Sequence, residues 1–273
     1  TALCVDKTGT LTKNKMSLHS LSVPDGQYFA SEQNQSEFPE IFHEVIEYGI
    51  LSSQSTPFDP MEKAIKDFGV KYLTGTDHIH NNWTLIREYP LSENLLAISY
   101  VWESPEGTEY IIASKGSPEA IFDLCHFDGE KIEALKKQVE LLAKDGLRVL
   151  AVAQSKFKKI TLPQIQHDFD FTFVGLIGFK DPVRPTVSSA IKSCYDAGIR
   201  VIMITGDYPG TASHVAKEIG IKHFDKILTG KELSQMDMNE LRQKVKDVNI
   251  FARIMPEQKL LLVKALQGND ETV

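Results

Sequence analysis

Apolar residues recur along the first part of the chain in a mixture of alternating and helical patterns. Runs rich in Ile, Tyr, Trp and Val predict strands, and longer apolar patterns with helical spacing predict helices. The patterns predict strands at 83–89, 95–103, 109–115 and 147–154 and helices at 39–52, 60–70, 117–125 and 129–145. Residues 19–38 are polar and rich in Ser, Gln and Glu, which predicts a loop or an irregular hairpin.

A different pattern begins near Phe171. Apolar runs now alternate with helical patterns, which is typical of β-α-β units built around a parallel sheet. This part predicts strands at 171–179, 199–204 and 248–252 and helices at 184–196, 209–219, 237–246 and 256–267.

The short apolar run at 2–6 has no partner strand near it in the sequence. We therefore place this strand in the later, parallel sheet. The placement predicts one α/β domain formed by residues 1–17 and 179–273. Residues 18–178 then form an inserted α/β domain around an antiparallel sheet.

Composition and charge narrow the class of protein. The chain has 273 residues, 42% hydrophobic and 25% charged, as expected for a soluble globular protein. Its net charge of −7 argues against a nucleic-acid-binding protein, which needs an excess of Lys and Arg. No apolar run approaches the ~20 residues of a membrane span, so we expect the chain as given to be soluble. The three cysteines lack CxxC spacing, which favours reduced thiols over disulfides or a zinc site.

Candidate chemistry begins at the end of the first strand. Asp6 lies where open parallel sheets bind their ligands, and Gly9 allows the following loop to fold tightly. A carboxylate at this position can act as a nucleophile on phosphorus. Asp-Lys-Thr-Gly alone fits a simple strand-to-turn transition equally well. Residues 6–12 read DKTGTLT, however, and this longer string resembles the phosphorylation signature of the P-type ATPases.

Thr8 bears on the choice between a pump and a phosphatase. Phosphatases of the related haloacid-dehalogenase superfamily usually carry a second Asp two positions after the nucleophile, where it acts as general acid and base. Threonine occupies that position here. A phosphoenzyme without this base suits an intermediate that must persist, which favours a pump. A soluble phosphatase and a nucleotide-binding module without chemistry remain the alternatives.

Other segments continue the resemblance in the first domain. Thr205-Gly206-Asp207 follows an apolar strand and is similar to the family's TGD motif, which implies that Thr205 binds phosphate and that Gly206 and Asp207 lie at the nucleotide. Lys259 resembles the lysine that neutralises the aspartyl phosphate. Residues 181–185, DPVRP, resemble the family's hinge between domains, with Arg184 also expected at the nucleotide.

The resemblance also implies a Mg²⁺ site. Asp6 and the Thr8 carbonyl are the expected protein ligands, completed by phosphate oxygens. The family's Gly-Asp-Gly-x-Asn-Asp segment, which supplies a further acidic residue, does not follow Lys259 within this sequence. We therefore expect an incomplete metal site in the chain as given.

The inserted domain resembles the family's nucleotide-binding domain. Lys115-Gly116-Ser117-Pro118-Glu119 is similar to the KGxPE motif, Arg148 lies in a GLR segment, and Glu62 resembles the acidic residue that approaches adenine. The family's Phe-Ser-x-x-x-Lys-x-Met segment is replaced by residues 91–98, LSENLLAI. Leu91 thus takes the place of the stacking Phe, and the Lys is missing, so the wall of the pocket is aliphatic.

Taken together, the motifs resemble a P-type cation-transporting ATPase of the calcium-pump-like branch. The resemblance implies a haloacid-dehalogenase-like Rossmannoid domain with an inserted nucleotide-binding domain. It also implies ATP and Mg²⁺ as substrate and cofactor, and an aspartyl phosphate on Asp6. The expected partners are the membrane and actuator domains of a pump at the cytoplasmic face of a membrane, together with a transported cation that these residues do not identify.

Overall fold

The chain forms two compact units in the computed structural model, which describes residues 1–31, 38–92 and 95–273. Unit 1 comprises Thr1–Lys15, Leu141–Arg148 and Asp181–Val273. Unit 2 comprises Met16–Glu140 and Val149–Lys180. The functional division into a phosphorylation domain and a nucleotide-binding domain stays a prediction.

The strands are β1 Ala2–Asp6, β2 Ser17–Ser22, β3 Tyr28–Ala30, β4 Thr84–Tyr89, β5 Ala97–Glu103, β6 Glu109–Gly116, β7 Arg148–Lys158, β8 Thr172–Lys180, β9 Arg200–Ile204, β10 Ile227–Thr229 and β11 Ile250–Ala252. The helices are α1 His43–Leu51, α2 Pro60–Leu73, α3 Pro118–Leu124, α4 Gly129–Lys144, α5 Val187–Asp196, α6 Pro209–Ile219, α7 Gly230–Leu233, α8 Met238–Lys244 and α9 Pro256–Gln267. Within the described residues, no helix has both the length and the apolar composition needed to cross a membrane.

Unit 1 contains a parallel sheet in the order β1-β9-β11-β10. The prediction that strand 2–6 joins the later sheet is confirmed, since β1 pairs with β9 from Ala2 opposite Arg200 to Asp6 opposite Ile204. Alternate residues of β9 pack on opposite faces: Ile202 belongs to a core with α8 and α9, and Val201 to a core with α5 and α6. Both faces of the sheet are therefore covered, as is usual for parallel strands.

Unit 2 contains a seven-stranded sheet in the order β3-β2-β8-β7-β6-β5-β4. Its strand pairs of known register are antiparallel. Helices α1 and α2 bury apolar residues such as Ile46 and Ile65 against one face. On β8, Val174 belongs to that core, whereas Phe173 on the opposite face contacts Phe122 of α3. Helices thus cover parts of both faces.

One sequence prediction differs from the structure, and the hairpin alternative of another is confirmed in the described residues. The run at 171–179 was grouped with the parallel strands, but β8 lies in the antiparallel sheet and pairs with β2. A continuous apolar run indicates burial on both faces, which β8 has, and does not distinguish the two kinds of sheet. The polar stretch 19–38 supplies the hairpin of β2 and β3, while its residues 32–37 lie outside the described residues.

Candidate functional site

The carboxyl edge of the unit 1 sheet brings together three of the predicted catalytic residues. Asp6 ends β1, and Thr205 follows β9 in the neighbouring strand. The Lys259 ammonium, from the first turns of α9, contacts the Asp6 carboxylate. The two side chains are 38% and 47% exposed for lysine and aspartate, so a ligand can reach both. A lysine here lowers the electrostatic cost of bringing an anionic phosphate to an anionic carboxylate.

The loop after Asp6 is held by backbone conformation and by one buried hydroxyl. Gly9 has φ of +78°, a conformation that favours glycine. The Thr12 hydroxyl is fully buried, accepts a hydrogen bond from the Gly9 N–H at 3.3 Å and donates to Asp181 Oδ2 at 2.5 Å. Thr12 therefore fixes the loop that carries the predicted nucleophile.

A buried ion pair lies beneath this loop. Lys7 Nζ is 2.6 Å from Asp207 Oδ2, and the two side chains are 2% and 7% exposed. The Thr205 hydroxyl also donates to Asp207 Oδ2, at 3.2 Å. Asp207 was predicted to contact the nucleotide, but in this structure its carboxylate binds Lys7 and Thr205. Asp207 thus joins the loop after Asp6 to the segment after β9.

Arg184 contacts the loop after Asp6 directly. Its Nη2 donates to the Gly9 carbonyl at 2.9 Å, and its backbone N–H donates to the Leu11 carbonyl at 3.0 Å. The backbone N–H of Lys13 in turn donates to the Pro182 carbonyl at 3.0 Å. The predicted hinge segment is therefore bonded along residues 9–15, and Arg184 supports the loop that contains Thr8.

In unit 2, Lys115 and Glu62 form a second buried ion pair. Lys115 Nζ lies 2.7 Å from Glu62 Oε1 and also donates to Ser53 Oγ at 3.2 Å and to the Ser52 carbonyl. Burial lowers the pKa of Lys115, and the Glu62 carboxylate opposes that shift. These contacts use all three donors of the ammonium, so a ligand that accepts a hydrogen bond from Lys115 must displace one of them.

The other predicted nucleotide residues are more dispersed. Leu91 is 59% exposed, and residues 93 and 94 of the altered 91–98 segment lie outside the described residues. Gly116 is required by packing, since a Cβ there would lie 2.3 Å from the Leu96 carbonyl. Arg148 opens β7 and falls in unit 1. At Gly206, by contrast, a Cβ would meet nothing closer than the Ile254 carbonyl at 4.0 Å.

Two aromatic residues near the Lys115–Glu62 pair were missed by the sequence analysis. Phe58 is 84% exposed and directly precedes Asp59, whose side chain caps α2 by accepting from the Met61 and Glu62 N–H groups. Tyr100 is buried on β5, and its hydroxyl makes no hydrogen bond of good geometry within the described part of the chain. Burial, then the carboxylates of Glu88 and Glu62, raise the pKa of Tyr100. An exposed aromatic beside a cap could have been noticed in the sequence, because such a ring gains nothing from folding.

The capacity of this chain to hold a metal ion depends on its donor groups. Among residues 1–31, 38–92 and 95–273, no three His, Cys, Asp or Glu side chains are arranged so that they could hold a metal ion. Mg²⁺ is commonly held by one or two carboxylates together with waters and substrate phosphates. Asp6 offers one half-exposed carboxylate at an open edge. The residues present therefore fit a Mg²⁺ ion that arrives with the nucleotide, rather than one held by protein groups alone.

Comparison with known proteins agrees with these motifs. Residues 53–186 match the family described as P-type ATPase, cytoplasmic domain N. A calcium-transporting ATPase of Bacillus subtilis (strain 168) is 32% identical over 307 aligned positions, which cover 99% of this chain. The chain belongs to the P-type ATPase family.

Further relatives within the P-type ATPases extend the comparison. A calcium-transporting ATPase of Listeria monocytogenes is 32% identical and aligns with 97% of this chain. A sodium/potassium exporting P-type ATPase of Schizosaccharomyces pombe is 26% identical, also over 97% of it. The chain spans about a third of the length of these relatives, 34%, 32% and 32% for the three proteins.

Proposed function

We propose that this chain is the ATP-hydrolysing cytoplasmic part of a cation-transporting P-type ATPase, in which Asp6 accepts the γ-phosphoryl group of ATP. The observation that carries the proposal is the contact of the Asp6 carboxylate with Lys259 at a sheet edge that also holds Thr205. The haloacid-dehalogenase-like assignment of unit 1 belongs to the same proposal. Calcium-transporting relatives favour a calcium-pump-like protein.

The chemistry follows from the positions of these groups. An Asp6 carboxylate oxygen forms a bond to the γ-phosphorus while the bond from that phosphorus to the bridging oxygen breaks. ADP leaves with the electron pair, and the product is an acyl phosphate. Lys259 offsets negative charge on the transferred group, and the single donor of the Thr205 hydroxyl can turn from Asp207 Oδ2 to one of the phosphate oxygens. The Asp6 carboxylate and the Thr8 carbonyl would hold Mg²⁺ together with phosphate oxygens, and the ion would supply further charge neutralisation.

Thr8 explains why the phosphoenzyme would last. Hydrolysis of the acyl phosphate needs a group that takes a proton from the attacking water. A threonine two positions after the nucleophile cannot act as that base at neutral pH. A phosphatase needs rapid turnover at this step, whereas a pump needs an intermediate that survives while other parts of the protein move.

Nucleotide binding is proposed for unit 2, at the Lys115–Glu62 pair. Because Lys115 is fully hydrogen-bonded, its role is to hold Glu62 in place, and Phe58 supplies the base contact that Leu91 cannot. Asp59 and Glu62 lie one helical turn apart, so the Phe58 and Glu62 Cα atoms are within about 9 Å of each other. An exposed ring at that distance can reach a base that contacts Glu62.

Labelling with γ-³²P-ATP tests the role of Asp6, and it is carried out on this chain extended through the family's Gly-Asp-Gly-x-Asn-Asp segment, because the metal site of the chain as given is expected to be incomplete. Asp6→Asn keeps the size of the side chain and removes the anionic nucleophile, so acid-stable labelling should be lost. ATP binding should remain or improve, since less negative charge faces the phosphates. Asp196→Asn, at an exposed position on α5, is the matched control and should label like the wild type. Equal labelling of Asp6→Asn would refute the assignment.

Titration with ATP tests the role of Phe58. Loss of one stacked base costs about 1–3 kcal/mol, so Phe58→Ala should bind ATP about five- to hundredfold more weakly. The control is Val70→Ala, which removes an apolar side chain of α2 that is 67% exposed. A similar loss in both variants, or none in Phe58→Ala, would assign the base contact to other residues.

A further inference from the structure

A cavity of about 480 Å³ lies in unit 1 at the sheet edge opposite Asp6. It is lined where the chain enters β9, β10 and β11, by segments that include Arg200, Lys222, Lys226, Lys246 and Asn249. Asp6 lies opposite Ile204 at the other end of β9. Four residue steps along a strand span roughly 13 Å, so this cavity is separate from the proposed phosphorylation site.

The lining of the cavity is positively charged, although the chain as a whole is acidic. The lining carries four permanent cations, Arg200, Lys222, Lys226 and Lys246, against the single carboxylate of Asp247. His223 also lines it. The chain as a whole has a net charge of −7. Cations gathered in a concave site on an acidic protein repel each other, and an anion bound among them relieves that repulsion.

Buried contacts hold part of this lining in place. Arg200 Nε donates to Asn249 Oδ1 and its Nη2 donates to the Val248 carbonyl, both at 2.7 Å. Asn249 is 5% exposed and donates to the Lys222 carbonyl at 2.8 Å. The two bonds that Arg200 donates use two of its five guanidinium donors, which leaves three for a ligand.

Lys222 is oriented by an aromatic side chain. Its ammonium lies 4.5 Å from the centre of the Tyr195 ring, and its backbone N–H donates to the Tyr195 hydroxyl at 3.0 Å. Tyr195 also lines the cavity. The turn that carries Lys222 is thus tied both to Tyr195 and to Asn249, so its position does not depend on a ligand.

We propose that this cavity binds a phosphate-bearing anion. Lysines are point-charge binders of phosphate, and a partly engaged arginine still offers a planar set of donors to its oxygens. The volume is that of a small-molecule site. The phosphate belongs either to a soluble molecule or to a lipid headgroup, and the chemistry of recognition is the same. The site is independent of the proposed function, because no residue of the Asp6 edge or of unit 2 forms it.

Two probes distinguish the sources on the full 273-residue chain. Pyrophosphate without Mg²⁺ is titrated while the backbone amide resonances of residues 195–200 and 222–226 are followed by NMR. Vesicles of phosphatidylglycerol are compared with vesicles of phosphatidylcholine in a sedimentation assay. Shifts saturating with pyrophosphate indicate a soluble ligand. Sedimentation with phosphatidylglycerol alone indicates a lipid headgroup.

Two double variants test whether the cavity is the site where the pyrophosphate or the lipid binds. Lys222→Ala with Lys226→Ala removes two exposed cations of the lining and should weaken binding of the active probe at least about tenfold. Lys231→Ala with Lys264→Ala removes the same charge from exposed positions outside the cavity and should change binding less than about twofold. Lys259→Ala, at the opposite edge, should leave the amide shifts unchanged. Equal loss in the two double variants, or no binding of either probe by the wild type, would overturn the proposal.

Discussion

Lys7 carries a charge in a place where water cannot stabilise it. Its side chain is 2% exposed and its partner Asp207 is 7% exposed, so each charge depends on the other. Removing one partner of a buried pair typically costs about 3–5 kcal/mol, because the remaining charge is left unpaired. We expect Lys7→Met or Asp207→Leu alone to lower the free energy of unfolding of unit 1 by that order.

The double variant separates the pair from simple packing. Lys7→Met with Asp207→Leu removes both charges and should recover a large part of the lost stability in urea unfolding. It should still fail to accept phosphate from ATP, since Asp207 also bonds Thr205. If the double variant loses as much stability as the two single variants together, the two charges do not interact.

Cys125 gives the protein an alkaline pH dependence. Burial raises the pKa of its thiol from 9.0 to about 12, with Lys131 lowering it and Asp170 raising it by smaller amounts. Between pH 9 and pH 12, the Cys125 thiol therefore stays neutral in the folded protein but ionises in the unfolded chain. Its stabilising contribution is complete below pH 9 and is lost as the pH rises toward 12.

The expected loss between pH 8 and pH 10 from this one group is about 1.4 kcal/mol. Cys125→Ala lacks the titrating thiol and should lose that much less over the same interval, although it starts from a lower stability. Urea unfolding at the two pH values gives the comparison. Parallel pH curves for the two proteins would show that the thiol does not titrate as described.

At the scale of elements, the hydrogen bonds between residues 11–15 and 181–184 hold the loop after Asp6. Asp181 is 9% exposed and accepts from the Thr12 hydroxyl at 2.5 Å and from the Lys15 N–H at 3.3 Å. Hydrogen bonds to a charged group contribute about 1.5–3 kcal/mol. Asp181→Ala should therefore destabilise unit 1 by about 2 kcal/mol or more, and Asp181→Asn by less.

Labelling of Asp6 gives this prediction a second readout. If these hydrogen bonds position the loop, Asp181→Asn should slow acid-stable labelling under conditions where the protein remains folded by circular dichroism. Asp145→Asn, outside both segments, serves as the control. Labelling that stays at the wild-type rate in Asp181→Asn would restrict Asp181 to a structural role.

The sequence predicted most elements, and the exceptions have physical causes. Strands β5 and β6 and helices α2 and α9 were found because their apolar patterns are long and their ends carry caps or turns. Strand β10 was missed because three residues are too few to show a pattern. Strand β2 was predicted only as part of a loop or an irregular hairpin, because Ser20 and Ser22 alternate with its apolar residues and are buried all the same.

In the candidate sites, the sequence motifs predicted which residues lie close together, but they did not predict the hydrogen bonds that those residues make. The grouping of Asp6, Thr205 and Lys259 at one edge was predictable, since strand ends and helix starts meet there. That Lys115 would use every donor on protein groups was not, because Ser52 and Ser53 lie far from it in the sequence. Nor did the sequence show that Asp207 would be occupied by Lys7, whose burial depends on the closed loop.

At the scale of the whole molecule, the two units differ in how far apart in the chain their strands lie. Unit 2 pairs β4 with β5 and β5 with β6, which are neighbours in sequence. Unit 1 has no comparable hairpin among its described pairs, and its parallel strands join distant segments. Unit 2 also pairs β2 with β8, which lie far apart in the chain. Because local pairing forms faster than distant pairing, we expect the β4–β6 part of unit 2 to acquire its structure first in refolding experiments.

The pairing of β1 with β9 has a consequence during protein synthesis. Ala2 precedes its partner Arg200 by 198 residues, so the ribosome must add those residues before the two can pair. At about 5–20 residues per second, the first strand waits roughly 10–40 s for its place in the sheet. Throughout that interval the DKTGT loop has no fold to hold it, and the Leu3 and Val5 side chains of an unpaired strand are open to other nascent chains. A chaperone that shields β1 and the loop after it would therefore protect the proposed nucleophile, Asp6, as well as the fold of unit 1.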